Sequence, residues 1–186
     1  MARELFARFN NSLGTVTYFT KLIVRDSFNK VFKLLVDTEL FAEETNLLTS
    51  LATAKNCIYN ENSEIVNLMM DFVEYKNLGA EEVVEKVLSR MYNVNECDWE
   101  FVICMLVLID ALVIEEHKRS DGECDSDEMV CDKIFTIECA LLSSINMWVF
   151  LEGGWDTFAT NMIVSTAKSN IFFNKVYWDV LRPCFV

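Results

Sequence analysis

The sequence predicts an all-α fold, a single-domain helical bundle of about eight helices around a buried central apolar helix. Three observations carry that prediction. Apolar residues recur at helical spacing along most of the chain, with no clear alternating run to mark a strand. One proline and five glycines in 186 residues leave few turn formers for a sheet of short strands. The longest apolar run, Phe101 to Ile114, is apolar all round, as befits a helix enclosed by others.

The length fits one domain, residues 1–186, able to bury a real core. An apolar content of 52%, with fourteen Phe and eight Met, argues against a disordered chain. The net charge of −13 argues against nucleic acid or an anionic membrane as electrostatic partner. It would steer a basic helix towards the surface. Seven cysteines form no CxxC pair and no zinc-ligand spacing. Their odd number, with several inside apolar runs, reads as reduced buried thiols of an intracellular protein, with disulfides the lesser alternative. Met1–Phe6 lacks the apolar run of a signal peptide, and Asp110 interrupts a segment already short of the roughly 20 residues that span a bilayer. Ile171–Val186 carries Lys175, Asp179, Arg182 and Pro183, so no transmembrane anchor is expected there. The expectation is a soluble, cytoplasmic protein without stable membrane insertion.

Taken in order, Leu5, Phe6 and Phe9 begin a short amphipathic piece that Gly14 interrupts. Val16, Phe19 and Ile23, then Phe28, Val31 and Leu35, keep helical spacing. Leu47, Leu51, Ala54 and Ile58 form the next stripe, and Ile65, Leu68, Met69 and Phe72 another. Asn77-Leu78-Gly79 breaks that helix, and Val83, Val84, Val87, Leu88 and Met91 form the one after it. Glu81, Glu82 and Glu85 lie early in this helix, where its dipole favours acids. Asp98-Trp99 opens the apolar central helix, and Asp110 within it implies a partner on a neighbour, an edge position, or a pH- or membrane-sensitive group. His117 to Asp127 reads as a polar loop. Asp121, Glu123 and Asp125 in it suggest calcium, but Ser126 stands where that loop needs glycine. Val130, Ile134, Ile137, Leu141, Ile145 and Trp148 give the cleanest stripe in the chain. It ends at Gly153-Gly154, a pair suited to left-handed backbone and a sharp corner. Trp155, Phe158 and Met162 continue the apolar pattern, and Phe172, Phe173, Tyr177 and Trp178 close it.

The corner, Glu152-Gly153-Gly154-Trp155-Asp156-Thr157-Phe158, resembles the second homology region of the Bcl-2 family of apoptosis regulators. That region is written asparagine-glycine-glycine-tryptophan-aspartate-(small)-phenylalanine, and Trp148 sits where the family has another tryptophan. Gly153, Gly154, Trp155, Asp156 and Phe158 are its structural residues here. Asp98-Trp99-Glu100-Phe101 resembles the first homology region, asparagine-tryptophan-glycine-arginine, with three of four positions changed. Leu51–Ile58 keeps the apolar ends of the third region but carries Lys55 for its small residue and Asn56 for its aspartate.

The resemblance implies a Bcl-2-like bundle with an elongated apolar groove for the BH-3-type helix of a pro-apoptotic partner. Carried over by motif, the groove would be lined by Ile58, Ile65, Val66 and Met69, then Val84, Val87 and Leu88, then Trp99, Cys104 and Leu108, with Met162 at one end. Each of these residues taken alone also reads as plain core. Phe101 replaces the family's arginine, which pairs with an aspartate of the ligand helix, and Arg90 is the substitute cation within reach. The implied function is inhibition of apoptosis by sequestration, in a divergent viral homologue acting in the host cytoplasm, at mitochondria only through its partners.

An enzyme finds little support. His117 is the single histidine, which argues against His-dependent triads and multi-His metal sites, and no phosphate-binding glycine loop exists. No cofactor is expected. Three rivals share the fold: a pore-forming death effector, an adaptor that blocks host signalling through another face, and a self-associating scaffold. For the last, an exposed groove is a ready homodimer surface.

Overall fold

A computed structural model of the chain describes residues 42–93, 95–119, 126–154, 157 and 166–186. Among the described residues the regular structure is helical, without strands. The helices are α1 (Ala42–Glu61), α2 (Ser63–Lys76), α3 (Ala80–Met91), α4 (Trp99–Arg119), α5 (Ser126–Leu151), α6 (Thr166–Lys175) and α7 (Arg182–Phe185), with a π-helical turn over Val176–Leu181 between α6 and α7. The stripe expected over Val16–Leu35 lies outside the described residues, as do Trp155, Asp156, Phe158 and Met162.

Helix α4 is the axis of the bundle. It packs against α1, α2, α3, α5 and α6, and every residue from Val102 to Asp110 is buried. A helix so enclosed has no polar face to spend, and that is why its sequence shows no stripe. Its first turn is capped by Asp98, whose Oδ1 accepts a hydrogen bond from the Phe101 N–H at 2.8 Å. Its last turn runs beyond the expected loop start at His117, through Lys118 to Arg119. These cations suit the negative end of the helix dipole. Arg119 also donates to the Leu78 carbonyl at 2.9 Å, tying the end of α4 to the α2–α3 corner. At the far side of the expected loop, Ser126 and Asp127 already belong to α5.

The α2–α3 corner forms as Asn77-Leu78-Gly79 implies. Asn77 is left-handed at φ 52°, its N–H donates to the Glu74 carbonyl, and the Leu78 N–H donates to the Val73 carbonyl. That is the paired bonding of a Schellman motif, with Leu78 buried as its apolar contact. The buried face of α2 is rotated from the expected one, however. Val66, Met69, Met70 and Val73 are inward, Ile65 and Phe72 flank them, and Leu68 is 42% exposed. Two adjacent helical stripes were available in this apolar segment, and packing on α4 selects the one beginning at Val66.

Helix α5 buries Ile134, Ile137, Leu141, Ile145 and Trp148, the stripe its spacing implies. It ends at two left-handed glycines, Gly153 at φ 89° and Gly154 at φ 80°. A Cβ on Gly153 would lie 2.6 Å from Thr157 Oγ1, and that hydroxyl donates to the Gly153 carbonyl at 2.9 Å. Both glycines are therefore conformational requirements of the corner. Trp148 meets Trp99 edge to face, with ring centroids 4.8 Å apart, so the end of α5 is joined to the start of α4.

Candidate functional site

The residues expected to line a groove come together around α4, mostly as core. Ile58, Val66, Met69, Val84, Val87, Cys104 and Leu108 are all at most 3% exposed. Ile65, Leu88, Trp99 and Phe101 are half-buried and pack against that core. Arg90 is exposed on the last turn of α3, and Met162 lies outside the described residues. What surface these residues retain is a margin formed by Ile65 on α2, Leu88 on α3, and Trp99 and Phe101 at the start of α4.

The C-terminal segment covers that margin. Helix α6 packs against α1, α2 and α4, and the π-helical turn against α2 and α3. Phe172 of α6 meets Phe101 edge to face at 5.6 Å, and Tyr177 meets Phe72 in the same way at 6.1 Å. Arg90 donates through Nη1 to the Asp179 carbonyl at 3.3 Å. Lys168 donates to Asp98 Oδ2 at 2.9 Å, and this bond raises the lysine's pKa. Phe101, standing for the arginine of the resemblance, thus offers an aromatic bed for Phe172 instead of a charge. Trp178 differs from its expected place: it is half exposed, with Arg182 over its ring at 4.9 Å.

Three features add to what the sequence implies. The first is the identity of the neighbour that Asp110 implies: Lys55 of α1 places Nζ 2.6 Å from Asp110 Oδ2, with both side chains at most 2% exposed. Two misplaced charges of opposite sign, one in each apolar stripe, were the available signal. The second is a polar cluster where α6 meets the α1–α2 joint. Asn62 donates to Ser169 Oγ at 2.9 Å and accepts from Asn170 Nδ2 at 3.4 Å. The third is the double use of Asp98 as helix cap and as partner of Lys168.

Among the described residues, three clefts border these elements, one of them, of about 440 Å³, at the α1–α2 joint beside Ile65, Asn170 and Asn174. Another, of about 460 Å³, lies between α3 and the π-helical turn and includes Arg90, Glu96, Lys175 and Asp179. The third, of about 500 Å³, lies between α1, α2 and α4 over the Asp110 pair and is rimmed by Asn56, Asn60, Asn67, Asp71 and Glu115. Burial pushes the Cys97 thiol up to about 12 and Cys139 to about 11, and Cys104 is raised by the same cause. These thiols stay protonated at neutral pH, the opposite of what a nucleophilic cysteine needs. No group of potential metal ligands is found among the described residues, and no described helix is long and apolar enough to cross a membrane. Compared with known proteins, the chain matches no family model, no curated sequence and no solved structure.

Proposed function

We propose that this chain is a Bcl-2-like inhibitor of apoptosis that sequesters BH-3-type amphipathic helices of pro-apoptotic proteins against its α2–α3–α4 face. The observation that carries the reading is the Trp99–Trp148 contact at 4.8 Å beside the left-handed glycine pair. It brings the two segments that resemble the family's tryptophan motifs to one end of a fully enclosed central helix. The work of such a protein is binding, and its reach depends on how the face opens.

The test is calorimetry of the full chain against a panel of synthetic death-promoting helices. Submicromolar binding to one or a few is expected, weakened at least about tenfold by Leu88→Glu or Ile65→Glu, which place a charge on half-buried positions. A folded protein that binds none of the panel sinks the reading. Because Phe101 carries no charge, changing the ligand's aspartate to alanine should alter Kd less than about tenfold, below the usual worth of a charge-assisted contact. A much larger loss would show that another cation, Arg90 foremost, serves as the anchor.

The burial of seven groove residues favours a second reading, an adaptor that acts on host signalling through a different face. It predicts no helix binding and full activity in chains substituted at Leu88 or Ile65.

A further inference from the structure

Helix α4 is buried without a break from Val102 to Asp110, and there its cover lapses on one side. Ala111, Ile114 and Glu115 in the next turn are only half-buried, and Lys118 beyond them is exposed. These four recur at i, i+3, i+4 and i+7, so they share one face of the helix. The cleft of about 500 Å³ between α1, α2 and α4 lies over that face. Its other walls obey the same spacing: Asn56, Tyr59 and Asn60 are one face of α1, and Asn67 and Asp71 one face of α2. The cleft has the size of pockets that hold small molecules.

Two kinds of surface meet in it. Val66, Met70, Val107, Ala111 and Ile114 make an apolar floor. The polar lining is the three asparagine amides, the Tyr59 ring and the carboxylates of Asp71, Asp110 and Glu115. Two of those carboxylates are already matched, Asp110 by Lys55 at 2.6 Å and Glu115 by Lys118 at 3.4 Å. Asp71 is exposed and has no ion-pair partner among the described residues. The lining therefore lacks one positive charge, in a chain whose net charge is −13. A bare metal ion does not meet that need, since no three potential ligands converge among the described residues. It would also leave the apolar floor wet.

We propose that this cleft binds a small organic monocation, an amine carried on an apolar body. The ammonium donates to Asp71 and to the amide oxygens of the asparagines, with the Tyr59 ring as a further attraction. The body lies on Met70, Ala111 and Ile114. The site is distinct from the α2–α3–α4 face. Ile65 and Phe72 flank one side of the buried stripe of α2, and Asn67 and Asp71 flank the other. The inference goes beyond the helix-binding reading and stands whether or not that reading holds.

The experiment is an amide NMR titration of the full chain with three probes that share one body: phenylbutylamine, phenylbutanol and phenylbutyrate. The amine should bind with Kd below about 1 mM, an ordinary yield for a ligand of its size. Its shifts should fall on residues 66–71 and 107–115. The alcohol keeps the body without the charge and should bind at least about fivefold more weakly, and the carboxylate not at all. Asp71→Asn should bring the amine to the alcohol's level. Ala111→Leu keeps a strong helix former but fills the floor, so amine and alcohol should both weaken about tenfold or more. If the amine does not saturate below about 10 mM, binds no better than the carboxylate, or shifts amides elsewhere, the site is wrong. It is equally wrong if both variants bind the amine as the parent does. The probes test charge and location on the unsubstituted chain, so poor folding of a variant leaves the proposal open to refutation.

Discussion

Helices α4 and α6 are both held by their neighbours, for opposite physical reasons. Helix α4 is enclosed along its middle, and Asp110 there is matched inside the core by Lys55. Removing it from its place would expose a solid apolar cylinder and strand a buried ion. Helix α6, with the π-helical turn, buries one stripe that includes a Ser169–Asn62 bond, and is pinned along its edge by Asn170 and surface cations. The exposed edge groups find water as readily as protein, so the buried stripe does most to hold the segment. The difference teaches that one chain can hold one helix by enclosure and another by a single stripe with a polar edge.

The largest way to break this contrast is at the ion pair. Asp110→Ala leaves the Lys55 ammonium buried without its partner and should cost about 3–5 kcal/mol in denaturant unfolding. Replacing both, as Lys55→Met with Asp110→Leu, should recover most of that loss, because a well-packed apolar pair avoids the desolvation penalty. A single substitution costing under about 1 kcal/mol would show that the pair is solvated and α4 less enclosed than its burial indicates.

Thiol labelling compares the two helices directly. Cys104 is buried on α4, whereas Cys184 is half-buried on α7, carried by the segment that α6 begins. At pH 8 Cys184 should react through lifting of the tail, and Cys104 only through global unfolding, so added denaturant should accelerate them with different slopes. Equal slopes would mean that the tail opens only when the whole bundle does. The same thiols set an alkaline limit. Cys139 and Cys97 keep their protons in the fold up to about 11 and about 12, above the ordinary value of 9.0. Above pH 9 the unfolded chain binds fewer protons than the folded one, so stability falls with rising pH. Their contribution is complete below pH 9 and is lost as pH climbs through 11 to 12.

The corner after α5 comes next in size. Gly153→Ala forces a Cβ into left-handed backbone and against the Thr157 hydroxyl, at about 1–2 kcal/mol. Gly154→Ala shares the backbone strain but meets nothing within 4 Å, so it should cost less. Thermal melts of the pair separate the steric part from the conformational part.

Much of this was legible in the residues. Ile134 to Trp148 announced α5, the unpatterned Phe101–Ile114 run announced an enclosed helix, and Asn77-Leu78-Gly79 and Gly153-Gly154 announced their corners. What periodicity could not convey was choice between equivalent faces. In α2 the stripes through Ile65 and Val66 differ by one residue, and only contact with α4 decides between them. Lys55 and Asp110 lie far apart in sequence, so their pairing is a tertiary fact. The groove residues illustrate the same limit. Their apolar character is plain in the sequence, but whether a side chain such as Val87 faces a ligand or the core is a tertiary fact, and Val87 is fully buried in the core.

Asp98 offers the smallest and sharpest contrast, because its two oxygens serve the two helices separately. Oδ1 caps α4 through the Phe101 N–H, and Oδ2 holds Lys168 of α6. Asp98→Ala removes both and should cost about 1 kcal/mol, the usual worth of a helix cap. Asp98→Asn, the residue found in the resembling motif, can still cap but carries no charge for Lys168. Its melting temperature should stay within error of the parent, while hydrogen exchange at the start of α6 speeds up. If Asp98→Asn destabilises the whole bundle as much as Asp98→Ala, the charge and not the cap is what matters. The α6 pin would then belong to the fold's foundation and not to its releasable edge.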